Sequence, residues 1–233
     1  MSYTQADYDI LLERLRRESD ERYRVFNESL IPGTERTYGV RAPALRVIAK
    51  ELLRGDWRGF LSLVRADSHE ERLLQGMVCA GAKCSLEEKL TLLRAFLPRI
   101  NNWAVCDMTA GDCKWKEKDL PAVWDFFAPC LQSKQEFEVR FAVVQLMDYF
   151  WREEWIDRSL TAYRTVQHEG YYVTMALAWG LSVFFVKQRA KTLPLLEQGV
   201  FPAAAHNKAI QKCRESYRVS AEDKAYLNTL KKK

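Results

Sequence analysis

Apolar residues along the chain recur at i, i+3, i+4 and i+7 almost from end to end, and the strict alternation of a half-buried strand is hard to find. The pattern predicts a chain that is nearly all α. Breaks in it appear at "IPGTERTYGVRAP", "LRGD", "LPRI", "APCLQSKQ", "QHEG" and "VFPAAAH", each a cluster of punctuating residues between helical stretches.

The breaks are regularly spaced. Setting the helices that follow them in register aligns "EERLLQGMVCAGAK" from Glu70, "NWAVCDMTAGDCKW" from Asn102, "EVRFAVVQLMDYFW" from Glu138, "YVTMALAWGLSVFF" from Tyr172 and "NKAIQKCRESYRVS" from Asn207, at offsets of 32, 36, 34 and 35 residues. A period near 35 accommodates two helices and two turns, so each repeat is one antiparallel helix pair and the array is an α-solenoid (a superhelix). The stretches between, such as "KLTLLRAFLPRI" and "DLPAVWDFFAPCL", then form the second layer. The consensus letters of tetratricopeptide repeats are absent. The expected organisation is a single domain over 1–233, with N-terminal helices to about 65, repeats from about 66 to 225 and a basic tail over 226–233.

Composition narrows the class. With 48% hydrophobic and 29% charged residues and no low-complexity stretch, the chain is expected to fold as a soluble protein. The opening "MSYTQADYDILLERLRRESDERY" is charged and helical in period, unlike a secretion signal. The longest near-apolar run, "MALAWGLSVFFV", is 12 residues, too short to span a bilayer, so a cytoplasmic location without membrane contact is expected. The six cysteines form no C-x-x-C pair, which suits reduced, buried thiols. With only three histidines beside them, no metal site is expected. No phosphate-binding G-x-x-x-x-G-K-[ST], strand-anchored G-x-G-x-x-G or G-x-S-x-G is present.

The charge is informative mainly by its location. The net excess is +5, and the last 30 residues hold eight basic side chains against Glu215, Glu222 and Asp223, so they carry all of it. A polyanionic partner and a merely solvated basic tail are both compatible with that distribution.

Three repeats carry residues that a core does not require. "NNWAVCDMTAG" stacks Trp103 and Asp107 on one helix face, "EFEVRF" carries Arg140, and "ALAWGLSVFF" carries Trp179. Asp107 to Arg140 is 33 residues and Arg140 to Trp179 is 39, each close to one repeat, so a curved array would turn the four residues toward one wall. The residues alone leave a second reading open: Asp107 as a helix cap or ion-pair partner, and both tryptophans as packed core. Lys208 and Lys212, four apart beside Asn207 and Gln211, and Arg41 and Arg46 near the other end, read as phosphate contacts or as solvated surface.

"INNWAVCD", "EFEVRFAVVQLMDYF", "GYYVTMALAWGLSVFFVK", "NKAIQKCRESYRVS" and "YGVRAPALRVIAKEL", taken in order and spacing, resemble the DNA alkylation repair family, the AlkD-like DNA glycosylases with HEAT-like repeats. The similarity runs from about Tyr23 to Lys224. It implies HEAT-like helix pairs that cradle alkylated duplex DNA in a basic concave groove, and excision of N3- or N7-alkylated purines without extrusion of the base. In that pattern Trp103 and Asp107 match the family's W-x-x-x-D, Arg140 its groove arginine and Trp179 its second groove tryptophan.

The implied chemistry suits these side chains. A cationic alkylpurine is already a good leaving group, and the positive charge that develops on the sugar is oxocarbenium-like. Asp107 as a carboxylate would stabilise that charge and orient a water. The indole faces of Trp103 and Trp179 would meet the sugar and the cationic lesion for roughly 0.5 to 2 kcal/mol each. Arg140 would hold a phosphate and offset the acid, while Lys208, Lys212, Arg41 and Arg46 would bind backbone without reading sequence. The implied enzyme is a monomer needing no cofactor and no metal, located in the cytoplasm and on the nucleoid when bound. Two alternatives remain at this point: a non-catalytic binder of damaged or branched DNA, and a HEAT-like protein-interaction scaffold.

Overall fold

The computed structural model describes residues 2–34 and 36–232; Lys233 of the basic tail lies outside them. Fourteen α-helices and no strand occur among the described residues. They are α1 (Gln5–Arg17), α2 (Glu21–Leu30), α3 (Ala42–Arg54), α4 (Trp57–Leu63), α5 (His69–Gly81), α6 (Leu86–Phe96), α7 (Trp103–Asp112), α8 (Leu120–Phe127), α9 (Glu136–Tyr149), α10 (Glu153–Thr165), α11 (Tyr171–Lys187), α12 (Arg189–Glu197), α13 (Ala203–Glu215) and α14 (Ala221–Thr229). The chain divides into two compact units, Met1–Lys116 and Glu117–Lys233. Within each, helix pairs stack in series, which is the packing of an α-solenoid.

In the first unit the layer of odd-numbered helices runs α3, α5, α7, with α4 and α6 against α5 and α1 against α4. α5 is the centre: 11 of its 13 residues are buried, polar ones included. Its first turn nevertheless carries two carboxylates. Glu70 accepts the backbone N–H groups of Tyr38, Gly39 and Val40 at 2.9, 2.7 and 3.1 Å, and Glu71 accepts the hydroxyls of Ser68 (2.7 Å) and Tyr8. Burial pushes the Glu70 carboxyl above its usual range while those three N–H groups pull it back. The turn that supplies them requires Gly39, whose φ is +80° and whose missing side chain leaves room for the backbone of Asp20 and Arg24.

Helix starts follow from short polar residues. The side chains of Thr4, Asp20, Asp56, Ser68, Ser85, Asn102 and Ser220 each accept a first-turn N–H, about 1 kcal/mol apiece. In the second unit the odd-numbered layer runs α9, α11, α13, and the others lean on it, with α10 against α12 and α13 against α14. α11 is again buried on most sides. Its Gly180 lets the ring of Tyr163 from α10 lie against the helix, where the Tyr163 hydroxyl donates to the Val143 carbonyl at 2.7 Å.

The even-numbered layer is laced by ion pairs between successive helices. Arg58 of α4 meets Glu88 of α6, Lys191 of α12 meets Asp157 of α10, and Arg189 of α12 meets Asp223 of α14, at 2.8, 2.6 and 2.6 Å. The partners are 30, 34 and 34 residues apart, so the repeat period reappears as charge pairing. Among the described residues no helix is long and apolar enough to cross a membrane.

Candidate functional site

Trp103 is the first residue of α7, and the helix starts there because the Asn102 side chain accepts the Val105 N–H at 3.0 Å. Asn102 is itself buried: its Nδ2 lies 3.2 Å from Thr34 Oγ1 and 3.3 Å from His69 Nδ1. Trp103 keeps one ring edge fixed, since its Nε1 donates to the Leu30 carbonyl at 3.0 Å. Both Trp103 and Asp107 are half-buried, whereas Val105, Cys106, Thr109 and Ala110 between and behind them are fully buried. The indole and the carboxylate therefore lie on the less buried side of α7. α7 approaches α5 closely at Gly76, where an added Cβ would overlap Thr109 Oγ1 and crowd Phe96.

Arg46 of α3 reaches the C-terminal end of the same helix, with Nη1 2.7 Å from Asp112 Oδ1. Arg41 does not come to α7: it pairs with Asp20 at 2.8 Å and lies over the Tyr23 ring at 4.8 Å. Both arginines are exposed, so each presents an outer edge to solvent while engaged with a carboxylate. Tyr38, another aromatic of this unit, is buried.

In the second unit Arg140 is only 6% exposed, and its Nη1 donates to the Tyr172 carbonyl at 2.8 Å. One turn earlier on α9, Glu136 accepts the Tyr172 N–H at 2.6 Å. Arg140 thus docks α9 onto the first turn of α11. Trp179 lies seven residues beyond Tyr172, about 10 Å of helical rise, and is half-buried. Trp179 and Lys212 line one cleft of about 320 Å³ between α11 and α13. Lys208, one turn back, donates to Gln211 at 3.1 Å. Asn207 is occupied otherwise: it exchanges two hydrogen bonds with the backbone of Lys232, at 3.0 and 2.8 Å.

The same cleft contains Lys187 and Arg218, which the sequence reading did not single out. A lysine ending a long apolar helix eight residues after Trp179 was the available signal. Most of the cysteines are buried. All six are free thiols, four of them buried; burial pushes Cys79 and Cys213 up to about 12 and Cys113 higher still. No group of three or more metal-ligating side chains occurs among the described residues.

No curated protein matches the chain. The family model described as DNA alkylation repair enzyme matches residues 11–213, which takes in α7, α9, α11 and nearly all of α13. With a match over most of its length, the chain belongs to the DNA alkylation repair enzyme family.

Proposed function

We propose that the protein binds alkylated duplex DNA and hydrolyses the N-glycosidic bond of cationic N3- or N7-alkylated purines, as a monomer without cofactor or metal. The observation that carries this reading is the half-buried Trp103–Asp107 pair on a capped helix, in a chain of the DNA alkylation repair enzyme family. The C1′–N bond breaks with its electron pair moving to the purine, which leaves as a neutral base. Asp107 stabilises the positive charge left on the sugar and orients the water that adds to C1′. The water's surplus proton passes to solvent. Trp103 offers its ring face to the sugar, with its Nε1 edge committed to Leu30.

In the second unit Trp179, Lys208 and Lys212, and in the first unit the outer edges of Arg41 and Arg46, contact duplex DNA through phosphate and sugar, a sequence-independent grip suited to finding a chemical lesion, while Arg140 acts by holding the first turn of α11. The test is release of free base from a duplex carrying 7-methylguanine. Wild-type protein is expected to release it, and Asp107→Asn to lose about 10²- to 10³-fold in rate while still binding duplex. Duplex binding without release by the wild type would replace the glycosylase with a non-catalytic binder of damaged DNA. Failure to bind duplex would favour a protein-interaction scaffold.

A further inference from the structure

Two buried polar side chains stand at the start of the helix that carries Trp103 and Asp107. Asn102 is 4% exposed and His69, the first residue of α5, is 2% exposed. Apolar side chains would fill the same space without needing hydrogen-bond partners, so this pair has a task other than burial.

The bonds around Asn102 dictate which way round its amide lies. Its Oδ1 accepts the Val105 N–H at 3.0 Å, so the amide nitrogen faces the other way. That nitrogen lies 3.3 Å from His69 Nδ1, 3.2 Å from Thr34 Oγ1 and 3.0 Å from Asn101 Oδ1. An amide nitrogen only donates, so His69 Nδ1 offers a lone pair, which assigns the ring proton to Nε2. The cap of α7 thereby selects the tautomer of a histidine on α5. The histidine in turn keeps the amide in its capping orientation, since a rotated amide would set N–H against the Val105 N–H.

His69 is anchored at its own backbone, where its N–H donates to the Arg36 carbonyl at 2.9 Å. The next residue, Glu70, holds the N–H groups of Tyr38, Gly39 and Val40. Trp103 holds the Leu30 carbonyl, so the connection from α2 to α3 is pinned by the first turns of both α5 and α7. Hydrogen bonds fix direction where apolar contact lets a helix turn about its axis. The network therefore sets the rotation of α7, and with it the bearing of Asp107 little more than one turn beyond the cap.

We propose that His69, acting through Asn102, is a positioning residue for excision: it holds α7 at the rotation in which Trp103 and Asp107 meet the damaged nucleotide. This rests on the glycosylase reading of the Trp103–Asp107 pair. It concerns the rate of bond cleavage and leaves the grip on the duplex to other residues.

The experiment follows single-turnover release of 7-methylguanine, with duplex affinity by fluorescence anisotropy and thermal melting alongside. It compares wild type with three variants. His69→Leu fills the space without an acceptor, and His69→Asn can present Oδ1 at the place of Nδ1. Asn102→Ser keeps an oxygen for the Val105 N–H but has no amide nitrogen. His69→Leu and Asn102→Ser should each slow release by about 10- to 100-fold at wild-type duplex affinity. His69→Asn should release base faster than His69→Leu, although its smaller side chain leaves a void and lowers the melting temperature at least as far. Release that simply follows melting temperature across the variants would reduce both residues to framework and overturn the proposal. So would a wild-type rate in His69→Leu or Asn102→Ser, or duplex affinity that falls in step with the rate. Should His69→Leu fail to fold, Asn102→Ser decides alone. A wild type that releases no base removes the glycosylase reading and this proposal together, whereas an active wild type with unaffected variants removes only the proposal.

Discussion

The indole Nε1 of Trp103 donates to the backbone carbonyl of Leu30 at 3.0 Å, so the first residue of α7 is held by the last residue of α2. α2 has no fully buried residue of its own and exposes Val25, Phe26 and Leu30. The carbonyl of its last residue fixes one edge of the Trp103 ring. Trp103→Phe keeps most of the ring and removes the donor. It should cost about 0.5 to 1.5 kcal/mol in thermal unfolding. Excision of 7-methylguanine should fall by more than that small loss of stability explains. Unchanged excision would show that the ring's orientation is irrelevant to the chemistry.

Asp107 and Arg140 should separate cleanly when stability and activity are both measured. Asp107 is half-buried and Arg140 almost wholly enclosed. Arg140→Ala removes a docked guanidinium and leaves the Tyr172 carbonyl without that donor, for a loss of about 2 to 4 kcal/mol in denaturant unfolding. Asp107→Asn should unfold at a denaturant concentration close to that of the wild type. Arg140→Lys is therefore the better functional probe, because it retains charge and stem. Equal destabilisation by Asp107→Asn and Arg140→Ala would place the aspartate in the framework.

Gly76 controls how near α7 comes to α5. Gly76→Ala should destabilise the protein by about 1 to 3 kcal/mol, because the new methyl group meets Thr109 Oγ1 and the Phe96 ring. Combining it with Thr109→Ala should recover part of the loss, since one of the two obstacles is gone. A purely additive pair in urea unfolding would argue against that contact.

Acid should loosen the end of the chain through Asp223. Its hydrogen bonds and charge pairing with Arg189 hold its carboxyl below the usual 3.8, with the Ser220 hydroxyl contributing less. A depressed folded-state pKa means stability that is present above 3.8 and is lost as pH falls through the depressed value. Asp223→Asn should lower the melting temperature at neutral pH and flatten its decline below about pH 4. A decline as steep as the wild type's would assign the acid sensitivity to other carboxylates.

The repeat was legible because a solenoid writes its period into composition. The five stretches aligned by breaks correspond to α5, α7, α9, α11 and α13, and each meets the next within its unit. Trp103 and Asp107 were legible for a similar reason, since a four-residue spacing fixes a shared face as soon as the helix is known. Arg140 was placed on the right helix, but its burial was not foreseeable: whether a guanidinium points to solvent or to a neighbour's carbonyl depends on a helix more than 30 residues away. Arg41 and Arg46 carry the same lesson, because Asp20 and Asp112 reach them only after folding. Lys187 escaped notice because a terminal lysine reads as a cap until the cleft beside it is seen.

The C-terminal positive charge has a further consequence. Lys232 is clipped to Asn207 by its backbone and to the carbonyls of Gly199 and Phe201, each 2.6 Å away, by its ammonium group, and α14 is anchored through Leu227. A loose cationic tether would draw a polyanion inward from any direction. Charge bolted to a rigid frame exerts a torque as well as a pull, so on the proposed DNA-binding reading an approaching strand would be turned before it touches.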